Sequence, residues 1–144
     1  MKTQKYCTFH VGDWFLGVEV ESVQEIVRFQ QMTRVPLAPD VVEGLINLRG
    51  QIVVAIDLRR QLGLPPRSQD TQPMNVIVRT QDGPVSLLVD DIGDVVEVER
   101  ERFDAPPDTL RGHVRELIRR VYQFDGRLLL VLDIERATTV ADAA

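Results

Sequence analysis

The sequence predicts a mainly β protein made of two small SH3-like β-barrels of about five strands each. Three observations lead to this prediction: many strand-sized apolar runs separated by turn residues, a pattern that occurs twice in the same order, and little helix. Barrels also leave few exposed strand edges. We expect one domain over residues 1–144, in which residues 6–64 form the first barrel, residues 74–138 form the second, and residues 65–73 are a polar, proline-rich linker.

The clearest repeat is a run of five apolar residues between a turn glycine and an aspartate. It covers residues 50–57 in the first copy and 126–133 in the second, an offset of 76 residues. Neither run shows the polar alternation of a half-exposed strand, so both strands are expected to be buried on both faces. The residue before the glycine differs, being Arg49 in one copy and Asp125 in the other. This difference is where we look for function.

Each copy is expected to begin with a β-hairpin, over residues 6–20 in the first and 74–89 in the second. The octets that follow, 20–27 and 89–96, coincide at all four apolar positions with an offset of 69 residues. Since two matches occur in the same order, the sequence indicates an internal duplication. The larger offset of the glycine-to-aspartate strand indicates a longer insertion in the second copy.

Short helices are predicted where an aspartate can cap the first turn. Asp57 is expected to begin a helix that ends at Gly63, and Asp133 to begin one over residues 134–138. A third short helix is expected over residues 41–43.

Composition excludes several classes of function. The chain has 144 residues, with 22 acids and 17 bases for a net charge of −5, whereas nucleic-acid binding favours a concentrated basic surface. A single-strand-binding barrel would also stack bases on aromatic residues, yet most aromatics here lie in apolar strand runs. No apolar stretch approaches the roughly 18 residues of a membrane span, and no secretory signal is apparent. We expect a cytoplasmic protein that needs no cofactor or metal.

Catalytic candidates are few. His10 lies in a hairpin strand and His113 in a polar loop, without a neighbouring nucleophile or metal-ligand spacing. A hydrolase that uses Asp57 or His113 as its base is therefore disfavoured, and no phosphate-binding glycine loop is present. Cys7 is expected to be a small strand side chain. The acidic run over residues 90–101 is interpreted as a solvated edge strand rather than a cation site.

Glu25 and Arg49 are charged residues among apolar neighbours. A charge on an apolar surface is expected to be paired or to lie at the rim of an interface, because burying it alone is costly. Two interpretations remain open: an ordinary surface ion pair, or a recognition patch in which apolar anchors at Val23 and Leu45 flank the two charges.

Three segments together resemble a known family. They are Val23-Gln24-Glu25-Ile26, then Gly44 to Gly50 with the sequence GLINLRG, then Ala55-Ile56-Asp57-Leu58-Arg59. In this order they resemble CheW, the coupling protein of bacterial chemotaxis, and the resemblance extends from about residue 6 to about residue 137. The family fold is two SH3-like barrels around a shared core, in agreement with the duplication.

The resemblance implies a non-catalytic adaptor. It implies binding to the cytoplasmic tip of methyl-accepting chemoreceptors and to the regulatory domain of the histidine kinase CheA, with assembly in rings within membrane-associated receptor arrays. It implies partner binding at Val23, Glu25, Gly44, Arg49, Gly50 and Val95. To these we add the apolar anchor Leu45 and Arg120, a position at which the family commonly has glycine. Glycine at positions 44 and 50 is expected to let another backbone approach closely.

Two positions depart from the family pattern. Val54 stands where the family usually has proline, which adds a backbone donor to the long strand. Arg120 stands where glycine is common, which adds a long cation near an expected contact surface. These departures leave open an alternative, an adaptor of a parallel chemosensory system that controls pili or surface behaviour.

Overall fold

The structure is a computed structural model that describes residues 2–110 and 112–139. Within them, three short α-helices accompany ten strands. The strands are β1 (Thr3–Val11), β2 (Trp14–Glu19), β3 (Val23–Val27), β4 (Val42–Leu48), β5 (Gln51–Asp57), β6 (Met74–Thr80), β7 (Gly83–Val89), β8 (Asp91–Glu99), β9 (Ile118–Phe124) and β10 (Arg127–Leu132). The helices are α1 (Leu58–Gln61), α2 (Gly112–Leu117) and α3 (Ile134–Ala137).

The strands form two five-stranded sheets, and the first hairpin of each sequence copy, β1–β2 or β6–β7, lies in the sheet that holds the remaining strands of the other copy. Sheet A has the order β8-β1-β2-β10-β9 and sheet B the order β3-β6-β7-β5-β4. Sheet A thus takes its hairpin from the first copy and its other three strands from the second, while sheet B does the reverse. Each exchanged hairpin is held by one antiparallel pairing, β1 with β8 or β6 with β3, and by one parallel pairing, β2 with β10 or β7 with β5. Each sheet therefore contains strands from both 6–64 and 74–138, so the prediction that each half forms a barrel by itself is wrong. Strand pairing between the halves, which local sequence patterns do not specify, decides the composition of each barrel.

Equivalent bridges close the two sheets into barrels. After β3, Thr33 exchanges two backbone hydrogen bonds with Leu45 of β4, with N to O distances of 2.9 and 2.8 Å. After β8, Asp104 makes the same exchange with Val121 of β9. Since β3 and β4 are the outer strands of sheet B, and β8 and β9 those of sheet A, each bridge joins the two edges of one sheet. The predicted pair of five-stranded barrels is confirmed.

The largest apolar cluster lies between the barrels. It contains buried residues of both sheets, among them Phe9 and Leu16 of sheet A and Ile56 and Val76 of sheet B. Each barrel also has a smaller interior cluster of its own, around Tyr122 in sheet A and around residues 46–53 in sheet B. Because most of the core is shared, neither barrel has a complete core of its own.

The carboxylate of Asp90, at the junction of β7 and β8, links the barrels at one edge of this core. It accepts a hydrogen bond from the backbone N of Gly12 in the β1–β2 turn, at 2.7 Å. Arg59 of α1 donates to it through Nε and Nη2, the latter at 2.6 Å, and Arg67 of the linker donates through Nε at 3.0 Å. Arg67 also lies 3.3 Å from Asp57. These contacts fix the otherwise irregular linker against both barrels.

The helix predictions have mixed outcomes. Asp57 caps α1 by accepting from the N of Arg59, and Asp133 caps α3 by accepting from the N of Arg136, so both predicted helices are confirmed. The helix predicted over residues 41–43 is wrong: β4 begins at Val42 instead, because pairing with β5 satisfies more backbone groups than a helix of three residues. Helix α2 was not predicted.

Candidate partner interface

Glu25 and Arg49 are brought together where the two outer strands of sheet B, β3 and β4, approach each other. Glu25 lies on β3, and Arg49 lies in the turn between β4 and β5, so the two residues come from opposite edges of the sheet. The Arg49 guanidinium Nη2 donates to Glu25 Oε2. This bond lowers the pKa of Glu25 and raises that of Arg49. The arginine side chain is 70% exposed and the glutamate side chain 22%, so the pair is presented to solvent at the arginine end.

The backbone at Arg49 does not favour arginine. Arg49 and Gly50 form the two-residue loop of a hairpin and both have positive φ, 53° and 88°. Such loops favour asparagine, aspartate or glycine at the first position, and the second copy has Asp125 there with a φ of 51°. The Oδ1 of Asn47 accepts from the N of Gly50 at 2.8 Å and supports the turn. The local conformation therefore does not explain Arg49, whereas its bond to Glu25 gives it a role.

Gly44 and Gly50 are required for different reasons. A Cβ at Gly44 would lie 2.7 Å from the carbonyl oxygen of Thr33 and 3.1 Å from the Cβ of Met32. The backbone that approaches Gly44 is therefore that of the barrel-closing segment of the same chain. Gly50 has open space around its Cα, and its positive φ is what favours glycine.

The apolar surface around this ion pair is larger than the sequence analysis indicated. Val23 and Leu45 are only partly buried, as expected of anchors. Ile26, next to Glu25, and Ile52, close in sequence to Arg49, are also exposed, Ile52 by 61%.

The second copy repeats these exposed apolar positions but only one of the two charges, because an aspartate replaces the arginine. Val95 of β8 is equivalent to Ile26 by the 69-residue offset and is 58% exposed, and Leu128 of β10 is equivalent to Ile52 by the 76-residue offset and is also exposed. This agreement between the copies is the sequence signal that could have identified Ile52. The positions of Glu25 and Arg49, however, are occupied by Asp94 and Asp125. The two barrels therefore present similar apolar positions with unlike charge.

Arg120 lies where the first copy has Gly44, and it has a different neighbour. Its guanidinium carbon is 4.5 Å from the ring centroid of Phe103, in the segment that closes the sheet A barrel. Phe103 is 49% exposed and also contacts Tyr122 edge to face. The second barrel thus has an aromatic ring with a cation stacked on it where the first has a tight backbone contact. Phe103 was not singled out from the sequence, and its exposure depends on the closing bridge.

Val54, the other departure from the family pattern, lies inside sheet B. It is in register with Leu45 of β4 on one side and with Val85 of β7 on the other. A residue at this position is flanked by strands on both sides, where a backbone donor is useful and proline would be costly.

The polar residues considered for catalysis have structural partners. His113 Nε2 lies 3.0 Å from Oε1 of Gln61, and Nε2 of His10 lies 3.3 Å from Nη1 of Arg127. Asp57 caps α1. No group of three metal-ligating side chains was found in residues 2–110 and 112–139. In the same residues, none of the helices has the length and apolarity to cross a bilayer.

Two barrels that exchange their first hairpins and present unlike exposed faces define a class of double β-barrel protein. The family model of the CheW-like domain matches residues 5–141. The chain therefore belongs to the CheW-like domain family, which confirms the resemblance drawn from its motifs.

Individual relatives agree with this assignment. The chemotaxis protein CheW of Treponema pallidum is 31% identical over 133 residues, which cover 90% of this chain and 78% of that protein. The chemotaxis protein CheW of Klebsiella aerogenes is 28% identical over 98% of this chain and 85% of that protein. Among solved structures, the scaffolding protein TtCheW from Thermoanaerobacter tengcongensis superposes with a TM-score of 0.83 at 23% identity, covering 92% of this chain and 90% of that one. The last match shows that the fold is shared.

Proposed function

We propose that this chain is a non-catalytic coupling adaptor of bacterial chemotaxis, which links methyl-accepting chemoreceptors to the histidine kinase CheA. The observation that carries the proposal is the match of the CheW-like family over residues 5–141, nearly the whole described chain. Relatives that this chain matches over most of their length bear the name chemotaxis protein CheW. Their names favour chemotaxis over a parallel system that controls pili or surface behaviour.

The two barrels supply unlike contact faces for unlike partners. The first face centres on Glu25 and Arg49 with apolar neighbours at Val23 and Leu45, and Gly44 and Gly50 give it its shape. The second face contains Val95 and Arg120. An apolar stripe of a receptor helix and the barrels of the kinase's regulatory domain are suitable partners, because both combine an apolar surface with polar flanks. In this role the chain acts in the cytoplasm and is recruited to membrane-associated receptor arrays. Two contact faces would allow it to take part in the rings of these arrays.

The proposal is tested by co-sedimentation with vesicles that contain receptor and kinase. Arg49→Ala and Glu25→Lys should each retain the fold but reduce recovery in the pellet by about fivefold or more, which corresponds to a loss of about 1 kcal/mol or more of binding free energy. Arg136→Ala is the matched control, because Arg136 is also a well-exposed arginine close to a carboxylate, in α3. Circular dichroism and thermal melting confirm that each variant is folded.

A charge exchange separates recognition from stability. The double variant Glu25→Arg, Arg49→Glu keeps a pair of opposite charges at these two positions. It places the negative charge, instead of the positive one, at the exposed position 49. If the pair serves only to close the barrel, the double variant should bind like the wild type. If partners contact the exposed arginine directly, binding of the double variant should be as weak as that of the single variants. Normal binding by every variant would refute this contact face alone, whereas failure of the wild-type chain to bind receptor and kinase would refute the adaptor function.

A further inference from the structure

Sheet A carries an apolar pocket of about 400 Å³ that lies apart from the Glu25 and Arg49 face. It is formed where the end of the β1–β2 hairpin, the start of β10 and the segment before α2 meet. Its apolar walls come from Trp14, Leu128 and Leu130, with Leu110 and Pro107 on the third side. A concave apolar surface of this size accepts a side chain of a partner more readily than a flat interface does.

One cation lines the pocket and contacts two of its ring side chains. The guanidinium carbon of Arg127 lies 3.8 Å from the ring centroid of Phe15, and its Nη1 is 3.3 Å from Nε2 of His10. The His10 ring stacks on Phe15 at 5.3 Å between centroids, so Phe15 contacts both groups. Within residues 2–110 and 112–139, no carboxylate forms an ion pair with Arg127. Contact with the ring restricts the guanidinium, and this reduces the side-chain entropy that it loses when it binds an anion.

We propose that this pocket binds an extended peptide segment of a partner protein in which an apolar side chain is followed by a carboxylate. The apolar side chain fills the space beside Trp14 and Leu128, and the carboxylate accepts hydrogen bonds from Arg127. Asp13 also lines the pocket, and its negative charge opposes an acidic ligand. Arg127 should therefore strengthen the binding of an acidic peptide and Asp13 should weaken it. Removing each charge in turn is expected to change the affinity in opposite directions.

Trp14 makes the test direct, because it is the only tryptophan of the chain and it lies in the pocket. The full chain is titrated with two capped tetrapeptides, acetyl-Ala-Leu-Glu-Ala-amide and acetyl-Ala-Leu-Gln-Ala-amide, and tryptophan fluorescence is followed. The acidic peptide should give a saturable change and bind about threefold more tightly than its neutral analogue, as expected for a solvent-exposed ion pair. Added salt should reduce that preference.

Three variants provide the controls. Arg127→Gln should abolish the preference for the acidic peptide, and Asp13→Asn should increase it. Arg102→Gln, which removes an exposed arginine that does not line the pocket, should leave it unchanged. A preference that persists in Arg127→Gln, or the absence of any saturable change with the acidic peptide, would overturn the proposal. A fluorescence change that follows protein concentration without peptide would also overturn it, because the occupant would then be a second copy of the chain.

Discussion

Replacing Asp90 with asparagine should destabilise the protein, because its carboxylate is where the linker, α1 and the β1–β2 turn meet. The side chain is only 17% exposed, and it accepts hydrogen bonds from Gly12, Arg59 and Arg67. Burial alone would raise the pKa of Asp90, but the hydrogen bonds from Arg59, Gly12 and Arg67 outweigh it and hold the pKa at about 2, below the ordinary 3.8. The folded state therefore favours the charged form.

The size of the effect follows from this pKa. Between 3.8 and about 2, the preference for the charged form contributes about 2 kcal/mol to the free energy of unfolding at neutral pH. Because the folded pKa is the lower one, this stability is fully present above about pH 4 and is lost as the pH falls towards 2. Asparagine resembles the protonated acid, so Asp90→Asn should remove the contribution at all pH values.

Urea unfolding of the wild type and of Asp90→Asn at pH 7, 4 and 3 measures this directly. The difference in unfolding free energy should be about 2 kcal/mol at pH 7 and should fall to about half of that at pH 3. Asp82→Asn is the control, because Asp82 is exposed in the β6–β7 turn and its carboxylate makes no ion pair among the described residues. A difference that stays constant between pH 7 and 3 would show that it does not arise from the ionisation of Asp90. A difference below about 0.5 kcal/mol at pH 7 would show that the network is no more than a surface ion pair.

Three further substitutions test the packing and the turn geometry. Gly44→Ala should cost about 1–3 kcal/mol in urea unfolding, because its Cβ would lie 2.7 Å from the carbonyl oxygen of Thr33; an unchanged midpoint would contradict the tight closing bridge. Ser86→Ala should cost about 1–3 kcal/mol, since it leaves Oδ1 of the fully buried Asn75 without its 2.7 Å hydrogen bond from the serine hydroxyl. Arg49→Gly should raise the melting temperature, because it relieves a positive φ of 53°, and a lower melting temperature would show that the arginine is needed for the fold.

The duplication allowed much of the fold to be predicted. Local patterns of apolar, turn and capping residues predicted the glycine-to-aspartate strands, both hairpins and the two aspartate-capped helices. The helix wrongly predicted at residues 41–43 shows the limit of such patterns. That segment enters β4 only because β5 is available as its partner, and strand pairing is a long-range contact.

The candidate surface divides in the same way. Glu25 and Arg49 were conspicuous as charges among apolar residues, but only the closed barrel shows that they meet across its opening. Phe103 and Arg120 are 17 positions apart, and nothing in their local sequence indicates that one stacks on the other. Their contact depends on the bridge between Asp104 and Val121.

The sequence by itself determined the family, the repeated strand order and the residues at which the two copies differ, because these are properties of local pattern and motif. The tertiary structure alone decided that the copies exchange hairpins, so that each barrel contains strands of both. It also decided that Gly44 faces a backbone of the same chain while Arg120, at the equivalent position, stacks on an aromatic ring. The physical reason is that pairing and packing between distant segments place side chains in space, and local periodicity does not encode which distant partner each strand will have.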